Sequence, residues 1–243
     1  DDITTVNTVV GAGNAYDDPE TLPRIIRGVK ASHVVTVSTP HLKTVFDQWH
    51  SNVVVLPNRI PARLLTEPVT VDDDFVISWS ASPSHQHDAQ YIAPALASHM
   101  RKFPETVLRL YGPDKRPERI PDWWRVEPMG WTKKPYDYLK SLNGSVGIAP
   151  LQPDSEFNRS KSGIKALEYM ARGIIPIAQV YNQYKGWGNT LLASTPEAWS
   201  TRLKKSSPMN TSMGTAGSYA WIEIPLTRTC LPWMIAASKR RSR

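Results

Sequence analysis

The densest chemistry in the sequence lies in one run. It reads Asp154-Ser155-Glu156-Phe157-Asn158-Arg159-Ser160-Lys161-Ser162 and leads into Gly163-Ile164-Lys165-Ala166-Leu167-Glu168-Tyr169-Met170. Two hydroxyls, Ser160 and Ser162, and two cations, Arg159 and Lys161, stand where a helix is expected to begin. Free backbone N–H groups, the positive end of the helix dipole and a cation together favour a diphosphate. Asn158 lies in the same run and is a further cleft candidate, with Ser160. Glu168 falls about one turn beyond Ile164, where a carboxylate could accept both hydroxyls of a ribose, as an acidic residue does in dinucleotide folds. It could equally pair with Lys165 at i, i+3 on a solvated face, worth a few tenths of a kcal/mol. Ile164, Leu167 and Ala171 are expected to form the buried stripe of this helix.

A second candidate is Ser78-Trp79-Ser80-Ala81-Ser82-Pro83-Ser84-His85, followed by Asp88. Small residues let backbone approach a ligand, and the hydroxyls of Ser80 and Ser82 can bond phosphate. The same residues also suit a polar loop that caps the next helix. His85 reads as a helix cap or a phosphate-facing group. His85-x-His87 supplies two ligands, whereas zinc needs three or four, so no metal site is expected.

Both runs require a frame. Val34–Val37 and Val53–Leu56 read as buried strands around a helix from Pro40 to Trp49. Arg59 to Asp74 reads as a linker, with Asp72-Asp73-Asp74 as a solvated turn. A second series follows: strand Phe75–Trp79, helix Asp88–Lys102, strand Val107–Tyr111, short strand Trp124–Val126, helix Pro135–Leu142 and strand Val146–Ala149. Helix Ser162–Arg172 ends at Gly173, which suits the left-handed position after a helix. Strand Ile174–Ala178 and helix Pro196–Lys204 close the series. Pro176 argues against a central place in its sheet, or marks the strand's start. This alternation predicts an α/β fold with a doubly wound parallel sheet covered on both faces. Trp49, Trp79 and Trp199 are expected in the core, and Trp187, between two glycines, beside a cleft.

Composition narrows the classes. The chain has 243 residues, 40% hydrophobic and 21% charged, which suits a soluble globular protein. No run reaches the roughly 18–20 apolar residues that span a bilayer. Asp1-Asp2 opens the chain without a signal-peptide pattern or an initiator Met, so it is expected to begin partway through a longer protein. One cysteine, Cys230, excludes an internal disulfide, and a cytoplasmic setting is expected. The net charge of +7 favours anionic partners, but much of it sits in Lys239, Arg240, Arg241 and Arg243. That tail reads as solvated, or as a peripheral membrane contact. Specific nucleic-acid binding is not expected. Gly11-Ala12-Gly13 lacks the third glycine of a dinucleotide fingerprint and reads as a loop.

The order of these pieces resembles the retaining GT-B glycosyltransferases of the large family that includes sucrose and glycogen synthases. The resemblance rests on Val55-Leu56-Pro57-Asn58 at a domain junction, and on Trp79, His85 and Asp88 in and after the small-residue loop. It also rests on Tyr111-Gly112, on Gly130-Trp131 and, most specifically, on the run from Phe157 to Pro176. The match covers roughly residues 32 to 203. It implies a Rossmann-like donor-binding domain over 75–205, preceded by the tail end of an acceptor-side domain (1–58) and a linker (59–74). The segment 206–243 resembles nothing in the family securely.

The resemblance implies transfer of a sugar from a nucleoside-diphosphate sugar to an acceptor, with retention and without an obligatory metal or other cofactor. Lys161 and Ser162, with Ser80 and Ser82, would bind the donor diphosphate. Glu168 would bind the ribose, and Lys161 and Glu168 would be the catalytic pair. Gly130, Trp131, Thr132 and Lys133 would lie near the nucleobase, uracil or guanine. The family's hallmark is two glutamates eight positions apart; Glu168 matches the second, and the first falls on Ser160. That departure leaves a non-catalytic nucleotide-sugar-binding module as the alternative, with a basic nucleic-acid-binding protein behind it.

Overall fold

The computed structural model describes residues 18–70, 72–81, 85–112, 120–153, 156–185 and 190–207. Ser82, Trp187, Gly11-Ala12-Gly13, Cys230 and the basic tail lie outside the described residues, as does the side chain of His87.

Six strands make one parallel sheet: β3 (Val76–Ser80), β4 (Val107–Tyr111), β5 (Arg125–Pro128), β6 (Val146–Ala149), β7 (Ile175–Gln179) and β8 (Leu191–Ala193). Their order is β5-β4-β3-β6-β7-β8. This is the doubly wound order 3-2-1-4-5-6, and it reverses between β3 and β6. The expected fold class is therefore the observed one. β4 and β6 match their expected bounds; β8 has three residues, too few to show a period.

Side chains alternate across the sheet, as strand geometry demands. Ile77, Trp79, Leu108, Leu110, Ile148 and Ile177 face α3 (Gln86–Lys102) and α7 (Pro196–Lys205), where they enclose Ile92, Leu96, Trp199 and Leu203. On the other face Tyr111 packs with Leu139 of α4 (Pro135–Ser141) and Tyr169 of α6 (Ile164–Ala171). Pro176 is the second residue of β7 and is buried, so the start-of-strand reading holds. Trp79 and Trp199 are core residues, and Trp49 packs half-buried against the smaller N-terminal cluster.

Gly173 ends α6 with φ +71°. Its N–H donates to Met170 O at 3.0 Å, and the Ile174 N–H donates to Tyr169 O at 3.0 Å. These are the two bonds of the Schellman motif, and Ile174 packs in the same cluster as Tyr169. The turn launches β7 and fixes where α6 stops.

Ahead of this body stand α1 (Thr21–Ala31), β1 (Val35–Val37), α2 (Pro40–Phe46) and β2 (Val53–Val55). β1 and β2 pair in parallel. Thr39 caps α2 by accepting the Leu42 N–H at 3.1 Å, with Pro40 at the first turn. Helix α1 has no fully buried residue; Leu22, Ile25, Ile26 and Val29 recur along it at helical spacing.

The segment expected as a linker is pinned to the body. It holds a 3-10 turn, Ala62–Thr66, whose Leu64 is fully buried. Arg172 donates to Pro68 O at 2.8 Å and to Lys140 O at 3.0 Å. Asp72 is not the solvated turn residue expected: it accepts from Arg109 Nη1 at 2.9 Å, and Arg109 also donates to Glu127 at 2.7 Å. A buried guanidinium requires such carboxylates.

Candidate functional site

In an open α/β sheet the ligand crevice lies beyond the strand ends where the order reverses. Here that point is between β3 and β6, and Tyr169 of α6 spans it. Its hydroxyl accepts the Ser80 N–H at 2.9 Å and donates to Ile148 O at 3.3 Å. The ring reaches this place because Gly147 on β6 has no side chain; a Cβ there would overlap the Tyr169 ring.

On one side of Tyr169 the site is built from charge. The His85 Nδ1 lies 2.7 Å from Asp88 Oδ2, and its Nε2 lies 2.9 Å from Lys165 Nζ. Lys161 Nζ lies 3.8 Å from the same Asp88 oxygen and 3.5 Å from His85 Nδ1. The other Asp88 oxygen accepts the Gln152 N–H at 2.7 Å and the Asn158 amide at 3.3 Å. Asp88 thereby ties α3 to the loop after β6 and to α5 (Glu156–Ser160). Burial, then repulsion by Lys165, lowers the His85 pKa to about 4 against the pull of Asp88, so the imidazole is neutral at pH 7. With Nδ1–H directed at Asp88, Nε2 is left to accept from the Lys165 ammonium.

Burial lowers Lys161 to about 8, against Asp88. Burial and the neighbouring Lys161 lower Lys165 to about 7. Asp88 stays below its usual value although burial opposes this, because the His85 bond and Lys161 favour its charged form. Two lysines, Lys161 largely charged and Lys165 about half charged at pH 7, therefore face one carboxylate and one neutral ring.

On the other side of Tyr169 the site is built from hydroxyls. The Tyr138 hydroxyl on α4 lies 2.7 Å from Ser80 Oγ and 3.0 Å from Glu168 Oε2. Burial raises the Glu168 pKa, and the Tyr138 bond and Lys165 draw it back. Beyond these groups, Gly112 (φ +117°) and Gly130 (φ +66°) close the ends of β4 and β5. The Trp131 ring lies within 3.3 Å of where a Gly112 Cβ would stand, yet Trp131 is 61% exposed. Its indole is a flat apolar surface presented to solvent at the strand ends. Thr132 and Lys133 are exposed beside it.

A cavity of about 270 Å³ opens against the start of α6. Ser162, Gly163, Ile164 and Leu167 form one wall, and Ser38, Thr39, His41 and Asn58 the other. No side chain caps the first turn of α6, which lies against this cavity. Asn58 donates to Ser162 Oγ at 2.7 Å and leaves the serine proton to point elsewhere. Thr39 donates to Ser160 O at 3.3 Å, and His41 Nε2 lies 3.2 Å from Glu156 Oε2.

The structure thus brings Lys161, His85 and Asn158 together, and Ser80 with Glu168. Ser80 meets Tyr138 and Tyr169 rather than an open phosphate position. Ser160 is fully buried, with its hydroxyl bonded to Glu156 O at 3.2 Å, and does not open on the cleft. Ahead of the helix expected to start at Ser162 lies the short helix α5, which turns Ser160 inward. The buried stripe of α6 is Ala166, Tyr169 and Met170, not Ile164, Leu167 and Ala171. Ile164 and Leu167 are apolar because they line the cavity, so apolarity misplaced the helix phase by roughly 140°, well over a third of a turn. Lys165, Tyr138 and Tyr169 were not singled out from the sequence. Lys165 and Tyr169 stood in the most specific motif; Tyr138 joins the site only through space. Among the described residues no group of three His, Cys, Asp or Glu side chains converges, and no helix is long and apolar enough to cross a membrane.

No protein-family model and no curated protein matches the chain. Several solved structures do. TarM aligns with a TM-score of 0.54 at 13% identity, over 78% of this chain and 39% of TarM. WaaG, a glycosyltransferase involved in lipopolysaccharide biosynthesis, aligns with a TM-score of 0.53 at 12% identity, over 70% of this chain and 52% of WaaG. The trehalose-6-phosphate synthase OtsA aligns with a TM-score of 0.55 at 11% identity, over 81% of this chain and 55% of OtsA. The chain thus spans about half or less of the length of these proteins. At such identities the likeness is one of fold, and it agrees with the strand order and the switch point: the chain has the Rossmann-like α/β fold of part of these GT-B structures.

Proposed function

We propose that this chain carries the donor-binding part of a glycosyltransferase that moves a sugar from a nucleoside-diphosphate sugar to an acceptor. The observation that carries this reading is the meeting of two lysines, Lys161 just ahead of α6 and Lys165 on it, with Glu168 on the same helix at the sheet's switch point. Phosphate and ribose are separated in a nucleotide by about one helical turn, the spacing of Lys165 and Glu168 on α6.

In this mechanism the bond from the sugar to the diphosphate breaks, and negative charge grows on the leaving phosphate. Lys161, Lys165 and the uncapped N–H groups of α6 stabilise that charge, as preorganised donors do in a buried site. These cations supply the compensation that a metal ion gives elsewhere, so no obligatory metal is proposed. Asn58 fixes Ser162 Oγ so that its proton is free for a phosphate oxygen. Ser82 is proposed to join them. Glu168 accepts the ribose hydroxyls, and Trp131 offers its face to a uracil or guanine flanked by Gly130, Thr132 and Lys133. The acceptor approaches from the side of β1, α2 and β2, the second wall of the cavity. Two similar structures support parts of this reading. TarM from S. aureus has been crystallised in complex with UDP, and glycosyl transfer with retention is described for a trehalose-6-phosphate synthase. Retention is proposed here on that footing, and a cytoplasmic setting on the chain's single cysteine.

Calorimetric titration with UDP- and GDP-sugars tests donor binding, and a transfer or hydrolysis assay on the full natural protein tests turnover. Absence of binding by every such donor overturns the proposal. The burial of Ser160 favours one second reading, a module that binds donor without transferring it. Binding without turnover in the full natural protein would select that module.

A further inference from the structure

Glu168 carries its carboxylate on a flexible side chain whose last torsion is broad, so a fixed orientation needs a partner. Tyr138 supplies one. Leu139, buried at 9% exposure beside it, anchors α4 to the body. The Tyr138 ring meets Tyr111 edge-on, with centroids 6.3 Å apart. Its hydroxyl lies between Ser80 Oγ at 2.7 Å and Glu168 Oε2 at 3.0 Å. One phenolic proton serves one acceptor at a time. An ionised Glu168 takes it, because a bond to a charged acceptor is the stronger. The Ser80 hydroxyl then donates back to the phenolic oxygen, and Ser80 is itself held through its N–H by Tyr169. The chain runs in one direction, from Ser80 to Tyr138 to Glu168, and ends on Oε2.

With Oε2 held in this way, Oε1 and the remaining lone pair of Oε2 are left to accept two neighbouring hydroxyls. We propose that Tyr138 is a positioning residue that aims Glu168 at the two hydroxyls of a ribose and so makes the site select ribonucleotides over 2′-deoxyribonucleotides. This rests on the reading of Glu168 as the ribose acceptor. Removing the 2′-hydroxyl leaves a buried carboxylate lone pair without its donor, and a site built for a hydroxyl rejects an analogue that lacks it.

The test titrates UDP and 2′-deoxy-UDP, and GDP and 2′-deoxy-GDP, into the wild-type chain and into Tyr138→Phe, which keeps the ring and its packing. The wild type is expected to prefer the ribo form by about tenfold or more. Tyr138→Phe is expected to lower that preference by about fivefold, with 2′-deoxynucleotide affinity nearly unchanged, because the loss is confined to one aimed hydrogen bond. A Tyr138→Phe variant that weakens both forms equally, or neither, overturns the proposal, since a purely structural tyrosine would leave the ratio intact. If the wild type binds nucleotides without preferring the ribo form, both the Glu168 reading and the proposal fail. If it binds none, the donor-site reading itself fails.

Discussion

The two sides of Tyr169 are built from opposite materials. Beside the start of α6 stand Lys161, Lys165, Asp88 and His85, held by charge, with burial lowering the pKa of both lysines and of His85. Around Glu168 there are Tyr138, Ser80 and Tyr169, held by directed hydroxyl bonds. Charge tolerates small errors of angle but responds to pH and salt. Hydroxyl bonds are largely indifferent to both and fail when one atom is removed. Such a division suits a ligand with an ionised diphosphate at one end and a neutral sugar ring at the other, and it lets each end be broken separately.

The charged side should break hardest at Asp88. This carboxylate is 3% exposed and answers both lysines, His85, Gln152 and Asn158. Asp88→Ala leaves buried cations without their counter-charge, and we expect a stability loss of about 3–5 kcal/mol in denaturant unfolding. A loss under about 1 kcal/mol would show that the cluster is not the buried hub described.

The hydroxyl side should break through the sheet. Gly147→Ala pushes the Tyr169 ring off β6 and so withdraws the acceptor of the Ser80 N–H. Overpacking of this kind costs about 1–3 kcal/mol. Nucleotide affinity should fall along with stability, because Ser80 and Tyr138 lose their anchor; unchanged affinity would detach Tyr169 from the site.

A pH series sharpens the contrast. Lys165 at about 7 and Lys161 at about 8 lose their charge across the range from neutral to mildly alkaline. A bound diphosphate raises both values, so binding at pH 8 takes up protons. Affinity for a nucleoside-diphosphate sugar is therefore greatest below pH 7 and falls as pH rises through 7 and 8. The fall to pH 9 should be about tenfold, or about 1.4 kcal/mol of binding free energy. Proton uptake is read by calorimetry in buffers of different ionisation enthalpy. Affinity flat from pH 6 to 9 would remove the lysines from the binding step.

The smallest effect belongs to the seam between the two sheets. Asn58 is exposed and makes one bond to Ser162. Asn58→Ala should cost about 0.5–1 kcal/mol of donor affinity and no measurable stability. A larger change in stability would show that the seam, rather than the ligand, depends on it.

The charged side was more legible in the sequence than the hydroxyl side. Lys161 and Ser162 stand in one continuous run just ahead of α6, and Gly173 marks the end of that helix. His85 and Asp88 were named through the resemblance, but the bond between them was not read from the sequence. Tyr138 comes from α4, thirty positions before Glu168, and only the folded sheet brings them together. The parallel sheet was readable because its strands are short apolar runs separated by helices. The phase of α6 was not, because Ile164 and Leu167 are apolar for the cavity and not for the core. Ser160 was placed in the cleft by its position in the run, and α5 turned it inward.

The most direct measurement is calorimetric titration of UDP- and GDP-sugars into the wild type, Lys161→Ala and Lys165→Ala at pH 6.5. The account predicts binding of at least one donor by the wild type and a loss of about tenfold or more in each lysine variant, as expected for a charge-assisted bond to phosphate. No binding by the wild type, or equal binding by all three proteins, would contradict it.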